Sequence, residues 1–94
     1  MKEFDIGGFV QSNAGHDLGK CYVIFYTDSE YVYLVDGRIR TINRPKRKKL
    51  KHICGLGQED PLLTAKTINK TVRDEEIKRA LKLLPIVCSS KEVK

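Results

Sequence analysis

The chain has 94 residues, of which 40% are apolar and 32% charged, and it contains no tryptophan. That length supports one small core, which argues against a deep, dry catalytic cleft between two lobes. Lys and Arg exceed Asp and Glu by 18 to 12, and a sequence pI near 9.3 points to an anionic partner.

No apolar run is long enough to cross a membrane, so no membrane association is expected. The opening Met1-Lys2-Glu3-Phe4-Asp5 lacks the apolar run of a signal peptide. Cys21, Cys54 and Cys88 are odd in number and widely spaced, which predicts buried or free thiols in a reducing, cytoplasmic setting rather than a disulfide framework.

In chain order, Ile6–Ser12 reads as a strand opened by Gly7-Gly8, and Ser12–Gly19 as a loop of turn formers. Lys20–Thr27 is β-branched and aromatic, and so is Tyr31–Val35 beyond the polar turn Asp28-Ser29-Glu30; both read as strands. Asp36-Gly37 then predicts a tight hairpin into a strand over Arg38–Ile42, with Arg38 and Arg40 on its solvent side. Pro45 ends that strand and leaves Lys46–Lys49 on a loop, while Leu50–Cys54 supplies a short closing strand. Short strands with tight turns and no intervening helix imply an antiparallel sheet. In about 50 residues it must close into a small barrel to bury a core.

Beyond Cys54 the pattern changes. Residues 55–70 read as a linker, beginning with Gly55-Leu56-Gly57. A helix is expected over 71–85, with a capping-box-like Thr71–Asp74 start and a stop at Pro85. Asp74–Lys78 and Glu75–Arg79 have the favourable acid-first spacing. Val72, Ile77, Ala80, Leu81, Leu83 and Leu84 share one half of the helical wheel, so the helix is expected to pack on its own domain. The tail, 86–94, is expected to be flexible.

The positive charge is concentrated. From Gly37 to Gln58 there is no acid, and Arg38, Arg40, Arg44, Lys46, Arg47, Lys48, Lys49 and Lys51 give +8; the remainder of the chain carries −2. A segment so one-sided favours a polyanion over a merely solvated face. Other chemistries lack their residues. Gly15–Cys21 resembles a phosphate loop but has Ala14 for its first glycine, Cys21 for the Ser or Thr, and a strand where a helix is needed. His16, Cys21, His52 and Cys54 lack the paired spacing of a zinc site, so no metal and no cofactor are expected. The acids fall in turns and at a helix start, leaving no candidate general base and predicting a protein that is not an enzyme.

Gly8 to Ile24, with Gly15 and the Asp17-x-Gly19 turn between two apolar strands, resembles a KOW motif. Its continuation, Tyr33–Arg40 and then Arg44–Ile53, is similar to the small bacterial KOW-domain RNA-binding proteins related to the "fourteen-e" type of large-subunit ribosomal protein. The resemblance covers residues 6–54 and, more weakly, the helix from Asp74 to Leu81. It implies a mainly β protein: an SH3-like small antiparallel β-barrel over 1–54 with a C-terminal amphipathic helix on or beside it. It also implies RNA binding, with ribosomal RNA or the ribosome as partner and ribosomal proteins as further neighbours. One departure is His16 and Leu18 where loop cations are expected, which shifts weight to Arg38–Lys51.

The expected RNA-binding residues are therefore Asn13, Gly15, His16, Lys20, Arg38, Arg40, Arg44, Lys46, Arg47, Lys48, Lys49, Lys51 and His52. Glycines would let phosphates approach the backbone, and specificity would come from RNA shape or from stacking on an exposed tyrosine such as Tyr22, Tyr26, Tyr31 or Tyr33, although tyrosines on two adjacent strands are more often half-buried barrel residues. No small-molecule substrate is expected. The alternative is an SH3-like interaction module that grips an extended peptide in an aromatic groove.

Overall fold

The computed structural model describes residues 4–57 and 60–84. Five strands, β1 (Phe9–Ser12), β2 (Cys21–Thr27), β3 (Tyr31–Val35), β4 (Lys46–Lys49) and β5 (Ile53–Gly55), form one antiparallel sheet in the order β4-β3-β2-β1-β5. A single 3-10 turn over Leu50–His52 separates β4 from β5, and two short helices follow, α1 (Pro61–Ile68) and α2 (Asp74–Lys82).

Alternation along the strands divides the apolar residues between two faces. Val10, Tyr22, Ile24, Val32, Leu34 and Ile53 pack together in one cluster. Phe9, Val23 and Val35 point the other way and meet Leu63 of α1, Val72 between the helices and Ile77 of α2. Ile77 is fully buried. The second helix thus packs on its own domain, as its amphipathic pattern predicts, although Leu83 is exposed rather than part of the apolar face.

Several expected elements differ. No strand runs from Arg38 to Ile42; residues 36–45 form one long connection. Its backbone amides are captured locally: Asp36 Oδ1 accepts from Arg38 N at 2.8 Å and from Arg40 N at 3.0 Å. An Asp side chain that ties down amides two and four residues on favours a loop over a two-residue hairpin. Pro45 precedes a strand rather than ending one, because Lys46–Lys49 pairs with β3 (Leu34 opposite Lys46, Tyr31 opposite Lys49). Four consecutive cations have poor strand preference, and partner pairing overrides it. The closing strand starts only at Ile53, after the 3-10 turn.

The supposed linker contains α1. Asp60 caps it, its carboxylate accepting from Leu63 N at 3.2 Å, and Pro61 takes the first helical position, where its missing N–H costs nothing. The second helix begins at Asp74, with the Glu76 carboxylate accepting from Arg73 N at 2.9 Å, so Thr71 is not its cap. The Asp74–Lys78 and Glu75–Arg79 pairs do not close. Asp74 Oδ1 instead accepts from Ile42 N at 2.9 Å, and a Lys66–Glu76 ion pair joins the two helices. Pro85, Cys88 and the tail expected over 86–94 lie outside the described residues.

The thiols also differ from expectation. Cys54 is free and exposed, but Cys21 is disulfide-bonded. Among the described residues no helix is long and apolar enough to cross a membrane.

Candidate nucleic-acid interface

The β1–β2 turn is built around a buried carboxylate. Asp17 is 7% exposed and accepts from Ser12 Oγ at 2.9 Å, Tyr22 Oη at 3.2 Å and Lys48 Nζ at 2.7 Å. The ammonium of Lys48 also donates to Ala14 O at 2.9 Å. Burial alone would raise the Asp17 carboxyl, but the hydrogen bonds from Lys48 and Ser12, with the Lys48 charge, outweigh it and hold the group at about 2. Burial and the neighbouring Asp17 charge push the Tyr22 phenol up to about 12. Lys48, expected among the RNA contacts, is thus engaged within the protein, on Asp17 and Ala14. Tyr22 is likewise buried and closed to any base.

The other expected residues fall into separate places. Asn13, Gly15 and His16 are exposed on the β1–β2 turn, where Gly15 takes the left-handed conformation at φ 83°. Asn13 N donates to His52 O at 2.9 Å, which brings this turn to the 3-10 segment carrying exposed Lys51 and half-buried His52. Lys20 and Arg38 line an open groove of about 940 Å³ between the 36–45 connection and α2. Arg40 is half-buried and Arg44 exposed on that same connection, so Arg38 and Arg40 are not on a strand as expected. Register then separates the cations of β4. Lys46 and Lys48 share the face of Leu34 and Val32, whereas Arg47 and Lys49 share the face of Tyr33 and Tyr31.

Apart from Lys48, no cation of the 37–58 segment has a carboxylate within ion-pair distance among the described residues. Seven of its eight cations thus lack such a partner among the described residues. Sequence reasoning missed four more cations that the fold brings near. Lys78, Arg79 and Lys82 of α2 line the groove beside Lys20 and Arg38, with Asp36 and Glu75 as its acids. The spacing of Lys78 and Lys82, four apart on one helix face, was the available signal. Lys70 lies 4.5 Å over the Phe25 ring and 5.6 Å from that of Tyr26; only the fold puts it there. The described residues hold no cluster of three His, Cys, Asp or Glu side chains that would suit a metal ion.

No protein-family model matches the chain, and no curated protein matches it. The KOW-type resemblance therefore rests on the residues themselves.

Proposed function

We propose that the protein is a non-catalytic RNA-binding domain that grips the phosphate backbone, with ribosomal RNA or the ribosome as its partner. One observation carries this reading: seven cations of an acid-free segment have no carboxylate partner among the described residues. Burying or exposing so many like charges without partners costs self-repulsion, which a polyanion relieves by exchanging its counterions for them. Arginine suits the role, because its guanidinium can take two phosphate oxygens at once.

A small SH3-like barrel of the KOW type is the finer fold we infer. The strand order supports it, as does the 3-10 turn between β4 and β5. So do the links that draw β4 and its following turn across to the β1–β2 turn, namely Lys48–Asp17 and Asn13–His52. On that scaffold Gly15 and His16 sit near the cations rather than supplying charge themselves.

The test is a charge-reversal variant that spares Lys48. Arg38→Glu, Arg47→Glu and Lys49→Glu together should abolish retention of ribosomal RNA on a filter while leaving circular dichroism unchanged. Undiminished retention would refute the site. Titration with a proline-rich peptide in parallel separates this reading from an SH3-like peptide-binding module.

A further inference from the structure

The outer face of the sheet changes character along its length. On β3, residues Val35, Tyr33 and Tyr31 alternate onto one side. At the Val35 end that side is covered, since Val35 packs with Phe9, Val23 and Ile77 under the helices. At the Tyr31 end the tyrosines stand outside that cluster, Tyr26 exposed and Tyr31 and Tyr33 half-buried. Tyr33 stands opposite Tyr26 of β2, their ring centroids 5.7 Å apart and tilted by 46°, and Tyr26 is 49% exposed. A β-bulge between Ile24 and Tyr26 puts Tyr26 on this side. Cations frame the rings. The Arg47 guanidinium lies 4.6 Å over the Tyr31 ring, Lys49 stands opposite Tyr31, and Lys70 borders Tyr26.

Aliphatic side chains occupy the covered half of this face and tyrosines the open half. Core packing explains the first but not the second. We propose that the face formed by Tyr26, Tyr31 and Tyr33 is a stacking platform for the bases of a single-stranded nucleic acid, whose phosphates are met by Arg47, Lys49 and Lys70. The inference rests on the polyanion reading above and names the class of nucleic acid. Unpaired bases can leave their own stack and lie on an aromatic ring, whereas duplex RNA presents backbone and a shallow groove. Arg47, already over the Tyr31 ring, adds a cation to the platform. One acid borders the platform: Asp28, whose Oδ2 accepts a long hydrogen bond from Tyr33 Oη at 3.5 Å. Asp28 is held in its turn, with Oδ1 accepting from Glu30 N and Tyr31 N at 2.9 and 2.8 Å. A proline-rich peptide would also suit tyrosines, but the basic residues that usually flank such ligands would face Arg47, Lys49 and Lys70.

The test compares three fluorescently labelled or competing probes at one salt concentration: a single-stranded oligouridine, an RNA duplex of the same length, and inorganic polyphosphate. The wild-type chain should prefer the single strand by about tenfold or more, and oligouridine should quench its tyrosine emission, which no tryptophan masks. Tyr26→Leu with Tyr33→Leu should weaken oligouridine binding by about 30-fold or more, the loss of roughly two stacked bases, while polyphosphate competes as before. Tyr26→Phe with Tyr33→Phe should bind as the wild type, which keeps the test valid if the leucine pair unfolds. Equal affinity for duplex and single strand, undiminished oligouridine binding by a folded leucine variant, or binding of a proline-rich peptide in place of oligouridine would overturn the platform. Failure to bind any of the three anions would instead overturn the polyanion reading beneath it.

Discussion

Lys48 Nζ stands 2.7 Å from Asp17 Oδ1, and both side chains are about nine-tenths buried, so the middle of the basic segment is fastened to the β1–β2 turn. Removing the cation leaves a carboxylate inside the protein with hydroxyl and backbone partners but no opposite charge. Lys48→Met should therefore cost about 3 kcal/mol in urea unfolding. Exposed Arg47→Glu or Lys49→Glu should change stability by no more than about 0.5 kcal/mol. A Lys48 variant as stable as the wild type would show that the pair carries no weight.

The same carboxylate sets an acid limit. Asp17 is held at about 2 against an ordinary value of 3.8, so the folded state binds its proton less readily than the unfolded chain. Its stabilisation is complete above roughly pH 4 and is lost as pH falls through about 2, an effect of about 2 kcal/mol. Asp28 and Glu76, also lowered by their hydrogen bonds, add to the same limb. Urea titrations at successive pH values should show this decline, and Asp17→Asn should flatten it. An equally steep decline in the variant would assign it to other groups.

Tyr22 supplies the alkaline counterpart. Its phenol is raised to about 12, so its contribution is present below pH 10 and disappears as pH climbs toward 12. Titration of phenolate absorbance should show one of the four tyrosines ionising late or only with unfolding, and Tyr22→Phe should remove that component. Four tyrosines titrating together would contradict the burial of Tyr22 against Asp17.

Gly37 fixes the connection that carries Arg38 and Arg40. Its φ is 78°, and a Cβ there would stand 2.3 Å from Asp74 O and 2.9 Å from Lys78 N. Gly37→Ala must push the connection away from α2, which should cost at least about 1 kcal/mol and disturb the groove between them. Thermal unfolding reads the first effect, and amide chemical shifts of Arg38 and Lys78 the second. A variant with unchanged stability and shifts would contradict this close packing.

Parts of this fold could be read from the residues because local preference and tertiary need coincide there. Cys21–Thr27 and Tyr31–Val35 are β-branched or aromatic and lie in the sheet interior. The Asp74–Lys82 helix has its acids first and its bases last. Elsewhere a side chain or a partner strand overrules the local signal. Asp36 draws Arg38 N and Arg40 N into a loop, whereas Lys46–Lys49 becomes a strand through the pairing offered by β3. Asp60-Pro61 was a readable helix start, obscured by the glycines that precede it. For the site, the charge excess was visible in composition. Its division was not: Lys48 turned inward, Arg47 and Lys49 beside the tyrosines, Arg38 against α2. Register divides the β4 cations, and the 36–45 connection carries Arg38 to α2.

The most direct measurement is the affinity for a labelled single-stranded RNA as potassium chloride is raised from about 50 to 400 mM. If five to seven of the unpaired cations meet phosphates, log affinity should fall against log salt with a slope of about −3.5 to −5. Arg47→Glu with Lys49→Glu should make that slope shallower. A flat response, or no binding at the lowest salt, would contradict the assignment of these charges to a nucleic-acid backbone.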